Sequence, residues 1–127
     1  MSPLKLRGDE GGLCMKAVNS RNGRELASNV IVADSLLKRL KGLLGKESMQ
    51  SGEGLWIKPC MSIHTLAMKF PIDVIFLNRK KRVIAIVKNI RPNRCTGLYP
   101  RAASVLELGA GTIQATATEI GDEIEIL

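Results

Sequence analysis

Two short apolar runs on either side of a polar tetrapeptide constrain the fold of this chain most strongly. Residues 72–77 and 82–87 are rich in β-branched side chains, and the polar residues 78–81 separate them. Runs of this length and composition are typical of strands, and a short polar connection joins such strands as a hairpin. Because residues 83–87 are apolar on both faces, we predict that they form a central strand covered on both sides.

A second hairpin is predicted nearer the N-terminus. Residues 13–18 and 24–32 are strand-like, and the Asn22-Gly23 pair between them favours a tight turn because both residues tolerate positive φ. The strands follow one another mostly as hairpins, which predicts a mainly β fold, an antiparallel sandwich or barrel, rather than a doubly wound sheet. Further strands are predicted at 55–57, 103–108 and 123–126, and a short helix or irregular segment at 110–118.

One flanking helix is predicted, over about residues 34–45. Asp34 is a good N-cap residue and Gly45 can end the helix, while Gly42 inside it indicates a close approach to another backbone. The leucines fall on a single stripe, which is typical of a helix face packed on a core. These leucines are Leu36, Leu37, Leu40, Leu43 and Leu44.

The length of 127 residues suits one domain. We predict that residues 1–12, which are polar and contain glycine, form a loose tail, and that residues 13–127 form a single β domain. The chain lacks both an apolar run near the ~20 residues that span a bilayer and a signal-peptide h-region, so a soluble cytoplasmic protein without a membrane segment is expected. Its oligomeric state is left open.

The chain is basic, with 19 Lys and Arg against 12 Asp and Glu and a net charge of +7. Such a charge attracts anionic partners. The basic residues are dispersed over segments 38–46, 79–82 and 88–94, and none of these segments contains the aromatic residues on which bases stack. Weak nucleic-acid binding by a basic surface is therefore a second alternative, and specific nucleic-acid recognition is not expected.

Residues 52–77 contain side chains that are rare in this chain or suited to catalysis, including Trp56, Cys60, the single histidine His64 and Asp73. Cys60, His64 and Asp73 match the nucleophile, base and orienting carboxylate of a thiol enzyme. Cys60 and His64 are four residues apart, about 6 Å on a helix but about 13 Å on a strand. Since β-branched neighbours favour extended structure here, a direct Cys–His pair is not expected.

Asp73 lies between apolar residues, so its side chain is expected to be buried and either paired or hydrogen-bonded. Its partner is His64 if residues 63–69 double back beside the following strand; otherwise Asp73 binds backbone amides of a turn, as an Asp after a Pro turn often does. Cys60 and His64 with Cys95 or Cys14 form only a scattered metal-ligand set without a Cys-x-x-Cys pair. We therefore predict no bound metal and no cofactor.

Three sequence blocks resemble the uncharacterised bacterial and archaeal family catalogued as domain of unknown function 192. The blocks run from 33 to 44, from 54 to 77 and from 105 to 122, and residues 70–77 (Phe-Pro-Ile-Asp-Val-Ile-Phe-Leu) are the most specific. The resemblance implies a jelly-roll-like β domain with a flanking helix. It implies no established activity, substrate or cofactor.

These observations predict a binding or accessory module rather than an enzyme. The candidate pocket spans residues 56–73, and its ligand is a small molecule or a protein. The alternative is a thiol-dependent hydrolase or transferase that uses Cys60, His64 and Asp73. The candidate binding residues are Trp56, Cys60, His64, Met68 and Asp73.

Overall fold

The computed structural model describes residues 15–127; the predicted tail and Cys14 lie outside the described residues. Seven strands and two short helices form in this part of the chain, so the fold is mainly β, as predicted. In chain order the elements are β1 (Met15–Asn19), β2 (Glu25–Ala33), α1 (Leu36–Lys41), β3 (Glu53–Ile57), β4 (Ile72–Leu77), β5 (Val83–Ile90), β6 (Ser104–Gly109), α2 (Thr112–Ala115) and β7 (Ile124–Ile126).

The described strands join in one mixed sheet with the order β5-β4-β6-β3-β2-β1-β7. Both predicted hairpins are confirmed, because β1 pairs antiparallel with β2 and β4 with β5. Gly23 in the first turn has the positive φ, 73°, that the Asn-Gly pair predicts. The expectation of a purely antiparallel sheet is wrong at one place: β2 and β3 are parallel, and α1 lies in the crossover between them.

The prediction that residues 83–87 form a central strand is also wrong. β5 lies at one end of the strand order, and the sheet curls until this end meets the segment before β7. There Val83 N donates to Asp122 O at 2.8 Å, and Gly121 N donates to Val83 O at 2.8 Å. β5 therefore has the strand β4 on one side and the segment before β7 on the other. The jelly-roll-like connectivity stays a prediction.

The sheet has a core on each face because successive side chains of a strand point to opposite sides. We call the face where residues of all seven strands meet the inner face; it includes Trp56, Ile75 and Leu106. The outer face carries Ile57, Val74 and Val105 and is covered by Leu43, Ile63, Met68 and Ala102 from the loops. This alternation decides which candidate side chains can meet.

Helix α1 is shorter than predicted. Ser35, not Asp34, is the N-cap, since its hydroxyl accepts a hydrogen bond from Lys38 N at 3.2 Å. The helix ends at Gly42 rather than Gly45, because Gly42 adopts a positive φ of 48°. The predicted close backbone approach at Gly42 is not found, since a Cβ there would meet only Arg39 O at 3.8 Å.

A buried polar network fixes the closure of the sheet. Asp122 accepts hydrogen bonds from Asn19 Nδ2 at 2.8 Å and from Arg21 Nε at 2.7 Å. The hydrogen bond from Arg21 is the main reason that the pKa of Asp122 falls to about 2. The network joins the β1–β2 turn to the turn before β7.

Candidate functional site

A cavity of about 150 Å³ lies on the outer face, between the C-terminal end of α1 and the segment that follows β3. We call it the Glu107 cavity. Its polar lining comes from Arg39 and Lys41 of α1, from Cys60, Ser62 and His64, and from Glu107 of β6. The other walls are formed by Gly42, Leu43, Leu44, Ile57, Pro59, Ile63 and Met68.

Glu107 is the most unusual residue of this cavity. It follows Val105 at a spacing of two on β6, so it points to the outer face, and it is only 4% exposed. Among residues 15–127 no hydrogen-bond donor and no cation pairs with its carboxylate. Burial raises its pKa from 4.5 to about 7, because the charged form loses hydration without compensation. Glu107 therefore titrates near neutral pH.

Cys60 lines the same cavity and is half-buried. Its thiol donates to Ser62 O at 3.0 Å. Burial is the main cause that raises the pKa of this thiol, and the negative charge of Glu107 acts in the same direction. The environment therefore favours the neutral thiol over a nucleophilic thiolate.

His64 also lines the cavity, but its side chain is exposed. Its Nδ1 accepts a hydrogen bond from Leu66 N at 3.2 Å, which leaves Nε2 as the nitrogen that can donate to a ligand. The alternative contact with Asp73 is absent, because the His64 segment pairs with Cys95 in an isolated antiparallel bridge instead. Buried Thr65 anchors this segment through its hydroxyl, which donates to Arg91 O at 2.6 Å.

Asp73 is buried as predicted, at 1% exposure, but its side chain lies on the inner face of the sheet. One carboxylate oxygen accepts from Asn89 N at 2.8 Å, and the other accepts from Gly111 N at 3.1 Å and Ile113 N at 2.9 Å. Asp73 thus joins β4 to the end of β5 and caps α2, which has no cap from its own N-cap residue. Backbone amides are its partners, but they belong to segments 16, 38 and 40 residues away along the chain rather than to the predicted turn.

Of the five predicted binding residues, Cys60, His64 and Met68 meet in one cavity, whereas Trp56 and Asp73 do not line it. Trp56 belongs to the inner core, with Lys58 Nζ 4.1 Å from its ring centroid. A triad of Cys60, His64 and Asp73 is therefore not assembled. In the described part of the chain, no group of three metal-binding side chains could hold an ion.

The sequence reasoning missed Glu107, although the signal that singled out Asp73 applies equally to it. Both are single carboxylates inside an apolar strand, in Pro-Ile-Asp-Val and Val-Leu-Glu-Leu. Such a group must be paired, hydrogen-bonded or shifted in pKa once the strand is buried. Asp73 meets this requirement through its hydrogen bonds, whereas burial raises the pKa of Glu107.

The thiol environments predict a difference in reactivity. In a Cys14→Ser background, we expect Cys60 to react several times more slowly with a disulfide reagent near pH 7.5 than exposed Cys95, because burial both hinders access and lowers the thiolate fraction. The absorbance of the thiol that the reagent releases follows the reactions of both cysteines. The variants Cys60→Ser and Cys95→Ser show which reaction belongs to which cysteine. A Cys60 that reacts faster than Cys95 contradicts this description.

No helix in residues 15–127 has the length and apolar composition needed to cross a bilayer; α1 has six residues. The sequence profile of domain of unknown function 192, described as Uncharacterized ACR, matches residues 17–126.

Two archaeal relatives match most of the chain. A UPF0127 protein of Pyrococcus furiosus is 31% identical over 113 residues, which cover 85% of this chain and 95% of that protein. A UPF0127 protein of Thermococcus sibiricus is 32% identical over 113 residues, 85% of this chain and 72% of the relative. A crystal structure of a protein of unknown function from Novosphingobium aromaticivorans has the same fold, with a TM-score of 0.80, 19% identity, and coverage of 98% of this chain and 93% of that one.

Proposed function

The chain belongs to the family of domain of unknown function 192, and we propose that it is a small soluble binding or accessory module with a jelly-roll-like β fold that holds a small ligand in the Glu107 cavity. Cys60, His64 and Met68 form walls of the site, whereas Trp56 and Asp73 lie on the inner face and do not contact it.

The observation that carries this proposal is the unpartnered carboxylate of Glu107. Buried polar groups in folded proteins nearly always have a hydrogen-bond partner, and a lone buried carboxylate is costly. Glu107 lines a cavity rather than a sealed core, so a ligand can reach it. A ligand that donates hydrogen bonds would supply the partner that the described chain does not.

The cavity also suggests the chemistry of the ligand. The carboxylate of Glu107 can accept hydrogen bonds from a ligand, and Arg39, Lys41 and His64 in the same lining can donate them. A cavity of about 150 Å³ holds a molecule of benzene size, about six heavy atoms. We propose a small amino or hydroxy acid, with its ammonium or hydroxyl group at Glu107 and its carboxylate at the cations.

A thiol-dependent hydrolase receives less support. Such an enzyme needs a thiolate, and burial raises the pKa of Cys60. It also needs a group that orients His64, and the oxygens of Asp73 are already bonded to three backbone amides.

Calorimetric titration with three related probes tests the binding proposal. L-alanine carries both groups, propionate lacks the ammonium group and ethylamine lacks the carboxylate. We expect L-alanine to bind at least about tenfold more tightly than either fragment, because only it can pair with both Glu107 and the cations of the lining. At about pH 6 its binding should release close to one proton, since an ammonium partner holds Glu107 ionised.

Two variants make the test specific. Glu107→Gln should abolish the proton release and weaken L-alanine binding, whereas Glu125→Gln, which alters an exposed glutamate of β7, should leave both unchanged. Equal binding of L-alanine, propionate and ethylamine would contradict the proposed ligand class. Unchanged binding by Glu107→Gln would place the ligand elsewhere.

A further inference from the structure

A second cavity, of about 520 Å³, lies beside the C-terminal end of β5. Lys88, Arg91 and Arg94 line it together with Thr96 and Tyr99, and no acidic residue does. We call it the basic cleft. It is separate from the Glu107 cavity and has no residue in common with it.

The cations of the basic cleft have no anionic partner in the described part of the chain. The ion pairs found among residues 15–127 involve other lysines and arginines, such as Lys46, Lys69 and Arg82. Three like charges around one depression create a positive potential that only an external anion can neutralise. The geometry therefore favours an anionic ligand.

Tyr99 adds a second chemical property to the cleft. The sequence places no aromatic residue within the basic segments, yet the fold brings Tyr99 into the same cleft as Lys88, Arg91 and Arg94. Its ring packs on Phe76 with centroids 4.3 Å apart and planes tilted by 40°, and its amide donates to Met61 O at 2.9 Å. The tyrosine is thus held in place at the wall of a cationic cleft.

We propose that the basic cleft binds single-stranded nucleic acid without sequence specificity, with phosphates at Lys88, Arg91 and Arg94 and one base stacked on Tyr99. A positive groove combined with an aromatic platform is the arrangement that such proteins use, because every base offers a π-face and every nucleotide a phosphate. Duplexes keep their bases stacked on one another and cannot use Tyr99. Anionic lipid surfaces have no planar ring to place there.

Fluorescence anisotropy with a labelled oligothymidylate of about eight nucleotides tests this proposal, a length within the usual site sizes. We expect the logarithm of the association constant to fall with the logarithm of salt concentration at a slope of about −2, because each neutralised phosphate of a single strand contributes about −0.7. A duplex of the same length should bind at least about fivefold more weakly, because it lacks the stacking contribution.

A pair of charge-matched variants separates the cleft from general attraction. Arg91→Gln with Arg94→Gln should reduce the slope to about −0.7 and the affinity by at least about tenfold. Arg79→Gln with Lys80→Gln removes the same charge from the exposed β4–β5 turn and should keep the slope near −2. Equal weakening by both variants would overturn the proposal in favour of non-localised attraction.

Substitution of Tyr99 tests the stacking contact. Tyr99→Leu should weaken binding by about tenfold at an unchanged salt slope, and Tyr99→Phe should bind like the parent chain, because only the ring face is used. Thermal melting of each variant confirms that the packing on Phe76 survives. Equal affinity of Tyr99→Leu and the parent, or binding of anionic phosphatidylserine vesicles without binding of the oligonucleotide, would overturn the assignment.

Discussion

Replacement of Asp73 with alanine is expected to lower the free energy of unfolding by about 4 kcal/mol, because three backbone amides lose a charged acceptor inside the core. Such a loss is a large fraction of the 5–15 kcal/mol that is typical of a domain. It corresponds to a decrease in melting temperature of about 15 °C for a chain of this size. Urea titration followed by tryptophan fluorescence measures it, since Trp56 lies in the same inner core.

Two further substitutions identify the cause of that loss. Asp73→Asn keeps one acceptor oxygen and should lose about half as much, about 2 kcal/mol. Asp34→Ala removes an exposed aspartate that does not cap α1 and should change stability by less than about 0.5 kcal/mol. If Asp73→Ala melts at the parent temperature, the amides of Asn89, Gly111 and Ile113 must find other partners, and Asp73 does not hold the inner face together.

Local sequence chemistry determines the hairpins of this fold but not the order of its strands. The two hairpins were predictable because a turn and its strands lie within a few residues of each other, as at Asn22-Gly23 and at 78–81. The strand order was not, since it depends on contacts between distant segments. The meeting of residues 121–122 with Val83, which closes the curled sheet at β5, has no local signal.

The candidate site, like the fold, was predictable only where its residues lie close together in the sequence. Cys60, His64 and Met68 come together because they belong to one loop that the sheet carries on its outer face. Asp73 separates from them because the two-residue period of β4 turns it to the inner face. The sequence alone could not assign that face, since β4 is buried on both sides and its apolar pattern does not alternate.

Glu107 should make the stability of the protein depend on pH in the neutral range. Its pKa is about 7 in the folded chain and about 4.5 when unfolded, so the folded state holds a proton that the unfolded state releases. The stability linked to this proton is fully present below about pH 4.5 and is lost as pH rises through about 7. The pKa difference corresponds to a loss of about 3 kcal/mol by pH 8.

Glu107→Gln removes this dependence because an amide keeps the shape of the side chain and cannot ionise. We expect the variant and the parent to have similar unfolding free energies near pH 4.5, and the variant to be more stable by about 3 kcal/mol at pH 8. Urea titrations at several pH values measure the difference, and Glu125→Gln serves as the exposed control. A difference that stays constant from pH 4.5 to 8 would mean that Glu107 is ionised at the same pH in both states. Glu107 would then no longer support a ligand in its cavity, because a carboxylate that ionises at its usual pH is already solvated or paired.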